Sequence, residues 1–252
     1  MGSYLIVAII GWVGGIVVNY LSDVLPYKRR LTAPFCSHCG EKIPPSNYFI
    51  WPRRCVSCNR LRAVRTWIVE LIFLAVGVLV WLYPPEFGYL LGFILLVYLG
   101  TVIIIDIEHH LILHPVSLMG AFLGLWIGIP LHGFGATVLG GMVGFGAMLS
   151  FYVLGITFVR FSARLRHQPI EESEGIGFGD VNFSGVIGLL LGWPGILAGL
   201  LVAIILAGAA SILYLVIMLT KRRYHSGLTI PYGPFLAAST IILLYLKGIF
   251  FG

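Results

Sequence analysis

The stretch GILAGLLVAIILAGAASILYLVIML, Gly195 to Leu219, decides the fold. Its 25 residues carry no charge, and apolar runs of about 18 or more mark helices that cross a membrane. Backbone groups in hydrocarbon must bond internally, and an uninterrupted run excludes the alternating strands of a barrel. Outward from it, apolar runs cover about 4–25, 67–83, 89–105, 113–131, 136–158, a short 180–193 and 232–251. The 252 residues are 59% hydrophobic and 10% charged, with a mean hydropathy of +0.98, which no soluble domain of this size matches. The expected architecture is all-α: a polytopic membrane protein of about eight transmembrane helices carrying a small cytoplasmic zinc-ribbon-like lobe. Residues 1–25 are the first helix, 26–66 the lobe and 67–252 a membrane-embedded domain.

The net charge of +6 does not point to nucleic acid, because of where the charges fall. Nine of the sixteen Lys/Arg lie between Lys28 and Arg65, three between Arg160 and Arg166, and three at 221–223. Cationic clusters flanking apolar runs obey the positive-inside rule. With 26–66 cytoplasmic, alternation puts 106–114, 160–180 and 220–231 on the same face, and fifteen of the sixteen cations with them. Both termini are then outside. The N-terminus has no basic leader region and no Ala-x-Ala site, so the first run is expected to be a retained helix.

The 26–66 segment holds all four cysteines, as Cys36-x-x-Cys39 and Cys55-x-x-Cys58. Two such pairs at this spacing supply four thiolates for a closed, tetrahedral structural zinc. Two disulfides are the competing reading, disfavoured by a reducing cytosol. His38 is a bystander between ligands.

Two carboxylates sit at the edges of apolar runs. Asp106 ends Thr101-Val-Ile-Ile-Ile105, and Asp180 closes Gly177-Phe178-Gly179-Asp180. Acids near membrane depth are functional candidates by default, with an interfacial acid as the plain alternative. Gly177 and Gly179 free the backbone beside Asp180 and leave room for an extended substrate. Two nearby carboxylates share one proton, so the ionised one activates water while the protonated one polarises a carbonyl. That chemistry cuts peptides without a metal or a covalent nucleophile. It requires that two residues with 73 others between them meet.

GFGD resembles the GxGD motif of membrane-embedded aspartyl proteases, which include prepilin peptidases, archaeal preflagellin peptidases and presenilins. The double CxxC after the first helix resembles the bacterial prepilin peptidases of type IV pili and type II secretion. Gly14-Gly15-Ile16-Val17-Val18-Asn19 with Leu25-Pro26 is similar to that family's first-helix pattern GSFLNV…RLP. Arg65-Thr66-Trp67-Ile68-Val69-Glu70 is similar to its RY…E entry to the second helix, and Ile230 to Phe235 to its IPFGP stretch. Three departures stand out: Asn182 where the family often has lysine after GxGD, Leu113-His114-Pro115 where Leu/Ile-Pro-Asp is common, and Ile16 for a serine. The resemblance implies cleavage of prepilin or pseudopilin precursors at the cytoplasmic face of the bacterial inner membrane, with Asp106 and Asp180 catalytic. It also implies methylation of the new N-terminus by S-adenosylmethionine, although no glycine-rich nucleotide fold is visible.

Other residues carry weaker signals. Glu70 either lies near the substrate amine or the methyl donor, or stabilises a helix N-terminus. Asp106, His109, His110 and His114 raise a metal-dependent protease, although HExxH is missing and Pro115 interrupts the local helix. Glu171, Glu172 and Glu174 form a solvated loop or attract a basic leader. Gly140, Gly141, Gly144 and Gly146 suit close helix packing. A transporter using these acids, or a zinc-ribbon adaptor, are the non-protease readings.

Overall fold

The computed structural model describes residues 2–36, 38–49, 53–166, 177–221 and 230–246. Glu171, Glu172 and Glu174 lie outside the described residues. The chain divides into two compact units, Met1–Ile105 and Asp106–Gly252. Among the described residues the regular structure is helical, apart from two isolated β-bridges.

In the first unit, α1 (Gly2–Lys28) packs against α3 (Val64–Leu82), with the short α2 (Pro45–Phe49) in the polar segment between them. Helix α1 runs three residues past the expected end at Leu25. Pro26 does not stop it, because only the last turn lies beyond that proline. Glycines set the spacing: a β-carbon on Gly11 would lie 2.7 Å from the Phe73 carbonyl oxygen. Val18, Val69, Phe73 and Phe93 form the buried cluster, the last of them from α4 (Tyr89–His109).

The second unit begins at Asp106, inside the last turns of α4, and continues with α5 (His114–His132) and α6 (Phe134–Arg166). Helices α7 (Phe178–Leu191), α8 (Gly195–Thr220) and α9 (Gly233–Ile241) follow, the last extended by a π-helical turn to Leu246. Pro115 sits in the first turn of α5, where its missing N–H costs nothing. His110 takes a left-handed φ of 50° just after α4 and His114 opens α5, so the two do not lie four apart on one helix.

Among the described residues six helices are long and apolar enough to cross a membrane, and α7 and α9 with its extension are shorter apolar helices. At 14 residues α7 spans only about 21 Å, against about 30 Å of hydrocarbon. It is surrounded by α5, α6, α8 and α9, with nine of its residues buried. Gly140 and Gly144 of α6 press directly on the backbone of α7 at Gly188 and Ser184. Gly141 meets Leu189, whereas Gly146 faces open space. Three of the four glycines are therefore packing residues.

Candidate active site

Asp106 and Asp180 both lie in the second unit, near enough for their charges to interact. Asp106 is 4% exposed and Asp180 9%. The junction is Gly179: a β-carbon there would fall 2.8 Å from Cβ of Ile112, in the turn that follows Asp106. That close approach folds the turn after α4 against the start of α7. Asp180 stands in the first turn of α7, its amide donating to the Gly177 carbonyl at 3.0 Å. Gly177 is exposed, with nothing closer to a β-carbon than the Gly179 amide at 3.9 Å.

A third segment reaches both acids. The Gly233 amide donates to Asp106 Oδ2 at 3.0 Å, and Tyr232 is close enough to Asp180 for their charges to interact. Reading Ile230 to Phe235 in the sequence gave neither residue a role. A glycine at the first position of a short helix was the available signal.

The four cysteines form a second constellation, in the first unit. Their sulfurs all lie within 4.8 Å of one another, with Cys36–Cys58 at 3.7 Å and Cys39–Cys55 at 3.5 Å. Zinc–sulfur bonds of about 2.3 Å imply tetrahedral edges of about 3.8 Å, so this donor set fits zinc. The two halves repeat the same turn. The Gly40 amide bonds back to Cys36 O and the Asn59 amide to Cys55 O, and Gly40 and Asn59 are both left-handed, at φ 73° and 54°. The bridges Phe35–Lys42 and Arg54–Leu61 close each turn. Backbone amides, first that of Cys58 and then that of Ser57, pull the Cys55 thiol down. That of Cys39, despite a backbone bond at Glu41, is pushed up by Cys55 and by burial. Among the described residues this is the one group of three or more His, Cys, Asp or Glu arranged to hold a metal. His109, His110 and His114 do not gather with Asp106 in that way.

The model of the type IV leader peptidase family matches residues 90–251, which span both acids. This chain belongs to that family. Its relatives include the prepilin leader peptidase/N-methyltransferase of Aeromonas hydrophila, 30% identical over 88% of this chain and 75% of that protein. The protein of the same name from Pseudomonas aeruginosa is 30% identical over 87% and 73%, and that from Stutzerimonas stutzeri 28% over 88% and 72%. No solved structure matches. The chain is a membrane-spanning leader peptidase by family, and the four cysteines that fit zinc lie outside the part that defines the family.

Glu70 of this leader peptidase is bound to the lobe within the first unit. Both its oxygens are taken by Arg53, at 3.0 and 2.9 Å, and one also accepts from Trp12 Nε1 at 2.8 Å. Glu70 and Arg53 are each 3% exposed, and the Arg53 guanidinium lies 4.4 Å over the Trp67 ring. Arg53 and Trp12 were not singled out in the sequence; an arginine in a basic segment looks like any other.

Proposed function

We propose that this family member cuts prepilin or pseudopilin precursors through Asp106 and Asp180 as an aspartyl pair. The observation that carries the reading is that two acids with 73 residues between them are both buried and near enough for their charges to interact, neither paired with Lys or Arg among the described residues. One acid, ionised, takes a proton from water as the oxygen attacks the scissile carbonyl carbon. The other, protonated, gives its proton to the carbonyl oxygen. When the C–N bond breaks, the departing amine receives the proton taken from water. Gly177 and Gly179 support this loop, Gly179 by admitting Ile112.

The distribution of Lys and Arg supports an inner-membrane enzyme with its lobe and active site facing the cytoplasm and its termini outside. The polar segment 26–66 is then a folding module around zinc held by Cys36, Cys39, Cys55 and Cys58, ahead of a protease domain from 67. The names of the relatives support a second step, N-methylation of the new N-terminus with S-adenosylmethionine. Glu70 does not fit a direct contact with that donor, since its carboxylate is buried and committed to Arg53 and Trp12. Instead it ties the lobe to α1 and α3.

The test incubates purified protein with a prepilin-like precursor, with and without chelator, beside Asp106→Ala and Asp180→Ala. Cleavage that survives either substitution ends the aspartyl reading, and loss of cleavage on brief chelation alone favours a metal-dependent protease. Mass spectrometry of the product with the methyl donor present reads the second step.

A further inference from the structure

Glycine at 233 has no backbone reason of the usual kind. Its φ lies outside the left-handed range that favours glycine, and it is the first residue of α9. What surrounds it is the Asp106 carboxylate. A β-carbon on residue 233 would sit 2.6 Å from Asp106 Oδ2, 3.1 Å from Asp106 Cγ and 3.4 Å from Ile112 Cδ1. The same glycine's amide donates to that Oδ2, and the bond is buried. The first amides of a helix lack partners within it and carry partial positive charge, so a carboxylate there is well held.

We propose that Gly233 is the positioning residue of Asp106. Its amide fixes Oδ2, its missing side chain leaves the carboxylate room to lie flat against the helix end, and Oδ1 is left as the oxygen that exchanges a proton during cleavage. This rests on the aspartyl reading above. The atoms a new methyl group would strike are the tips of two side chains, not backbone. Substitution therefore turns the Asp106 carboxylate and leaves the helices in place.

Gly233 also precedes Pro234, and a β-carbon before proline disfavours helical backbone. That gives a competing explanation, and it can be removed genetically. The experiment measures kcat and KM on a precursor peptide, with thermal unfolding in detergent, for Gly233→Ala, Pro234→Ala and Gly233→Ala/Pro234→Ala. Gly146→Ala serves as the control in open space. The expected result is a fall in kcat of about 100-fold for Gly233→Ala, the scale of an ångström's misplacement of a reacting group, with KM held within about threefold. The double variant is expected to show the same loss, with unfolding temperatures near that of the parent.

Wild-type turnover in Gly233→Ala overturns the proposal. So does recovery of activity when Pro234 is also replaced, which assigns the loss to backbone strain. Unfolding of both Gly233 variants overturns it as well, because the whole cost is placed on one carboxylate. If Asp106→Asn keeps its activity, the aspartyl reading itself falls. If Asp106→Asn is inactive while Gly233→Ala is not, the positioning role alone falls.

Discussion

The two units treat buried acids in opposite ways. In the first, the buried Glu70 is locked to Arg53, and Asp23, partly exposed, likewise takes both Arg62 and Arg65. Tyr48 donates to the same Asp23 at 2.6 Å, and burial together with that carboxylate pushes its phenol up beyond the usual tyrosine range. In the second, Asp106 and Asp180 are nearly as buried as Glu70, but no Lys or Arg among the described residues pairs with them. Asp106 has the Gly233 amide and the charge of His110, and Asp180 has Asp106 and Tyr232 within range. A buried carboxylate with a cation holds structure together. One facing a like charge raises the energy of the folded state and stays because chemistry needs it. Burial alone does not separate the two kinds; the partner does.

The largest test of that contrast is Asp106→Asn and Asp180→Asn. Each is expected to lower cleavage by about 1,000-fold or more, the scale set by loss of an acid or base from a cooperating pair. Removing one of two like charges is expected to leave the unfolding temperature unchanged or higher. A drop of several degrees in either variant would place these acids among the structural ones and break the comparison. The parent's kcat/KM should show a bell-shaped pH dependence belonging to the pair, and each Asn variant should lose it.

Next in size is metal removal. Four cysteine sulfurs at this spacing fit zinc, and zinc held there would be part of the folding energy of the lobe. Prolonged chelation, or Cys36→Ser with Cys55→Ser, should abolish bound zinc by elemental analysis. Residues 26–66 should then exchange amide hydrogen freely, while those of α7 stay protected. Equal loss of protection in α7 would show that the units do not unfold separately.

Glu70→Gln comes third. It leaves Arg53 buried opposite a neutral group, and breaking one side of such a pair costs about 3–5 kcal/mol. Arg53→Met/Glu70→Leu should cost clearly less, because no charge is stranded. Thermal unfolding of the three proteins reads the difference. A Glu70→Gln protein that is fully stable yet fails only in N-methylation would move Glu70 from the structural acids to the chemical ones.

Much of this was legible from the sequence because lipid and zinc impose simple rules. Apolar length gives the helices, Lys and Arg give their sidedness as an expectation, and paired CxxC spacing gives the metal-binding lobe. What was not legible is contact between distant segments. Nothing in Gly179 says that Ile112 will fill the space beside it, and Gly233 reads as the start of a short helix rather than the support of Asp106. Glu70 was open to two roles, since its partner is an arginine 17 residues earlier, one of nine Lys/Arg between 28 and 65. His110 and His114 looked like a possible helical pair, and the break between α4 and α5 separates them.

The smallest effect distinguishes shape from charge as the cohesive force of the second unit. Gly144 and Gly146 differ by two positions on α6 and lie on different faces of it. A β-carbon at 144 runs into the Ser184 backbone carbonyl of α7, whose hydroxyl in turn donates to Gly144 O at 3.0 Å. Neither backbone yields cheaply, so Gly144→Ala should lose about 1–3 kcal/mol through overpacking. At 146 nothing lies within 4 Å, and alanine instead brings helix propensity, up to about 1 kcal/mol in its favour. Opposite signs in thermal unfolding are expected for the same substitution two residues apart. If both variants shift together, helix contact at Gly144 does not hold α6 to α7, and α7 must owe its burial to α5, α8 and α9 instead.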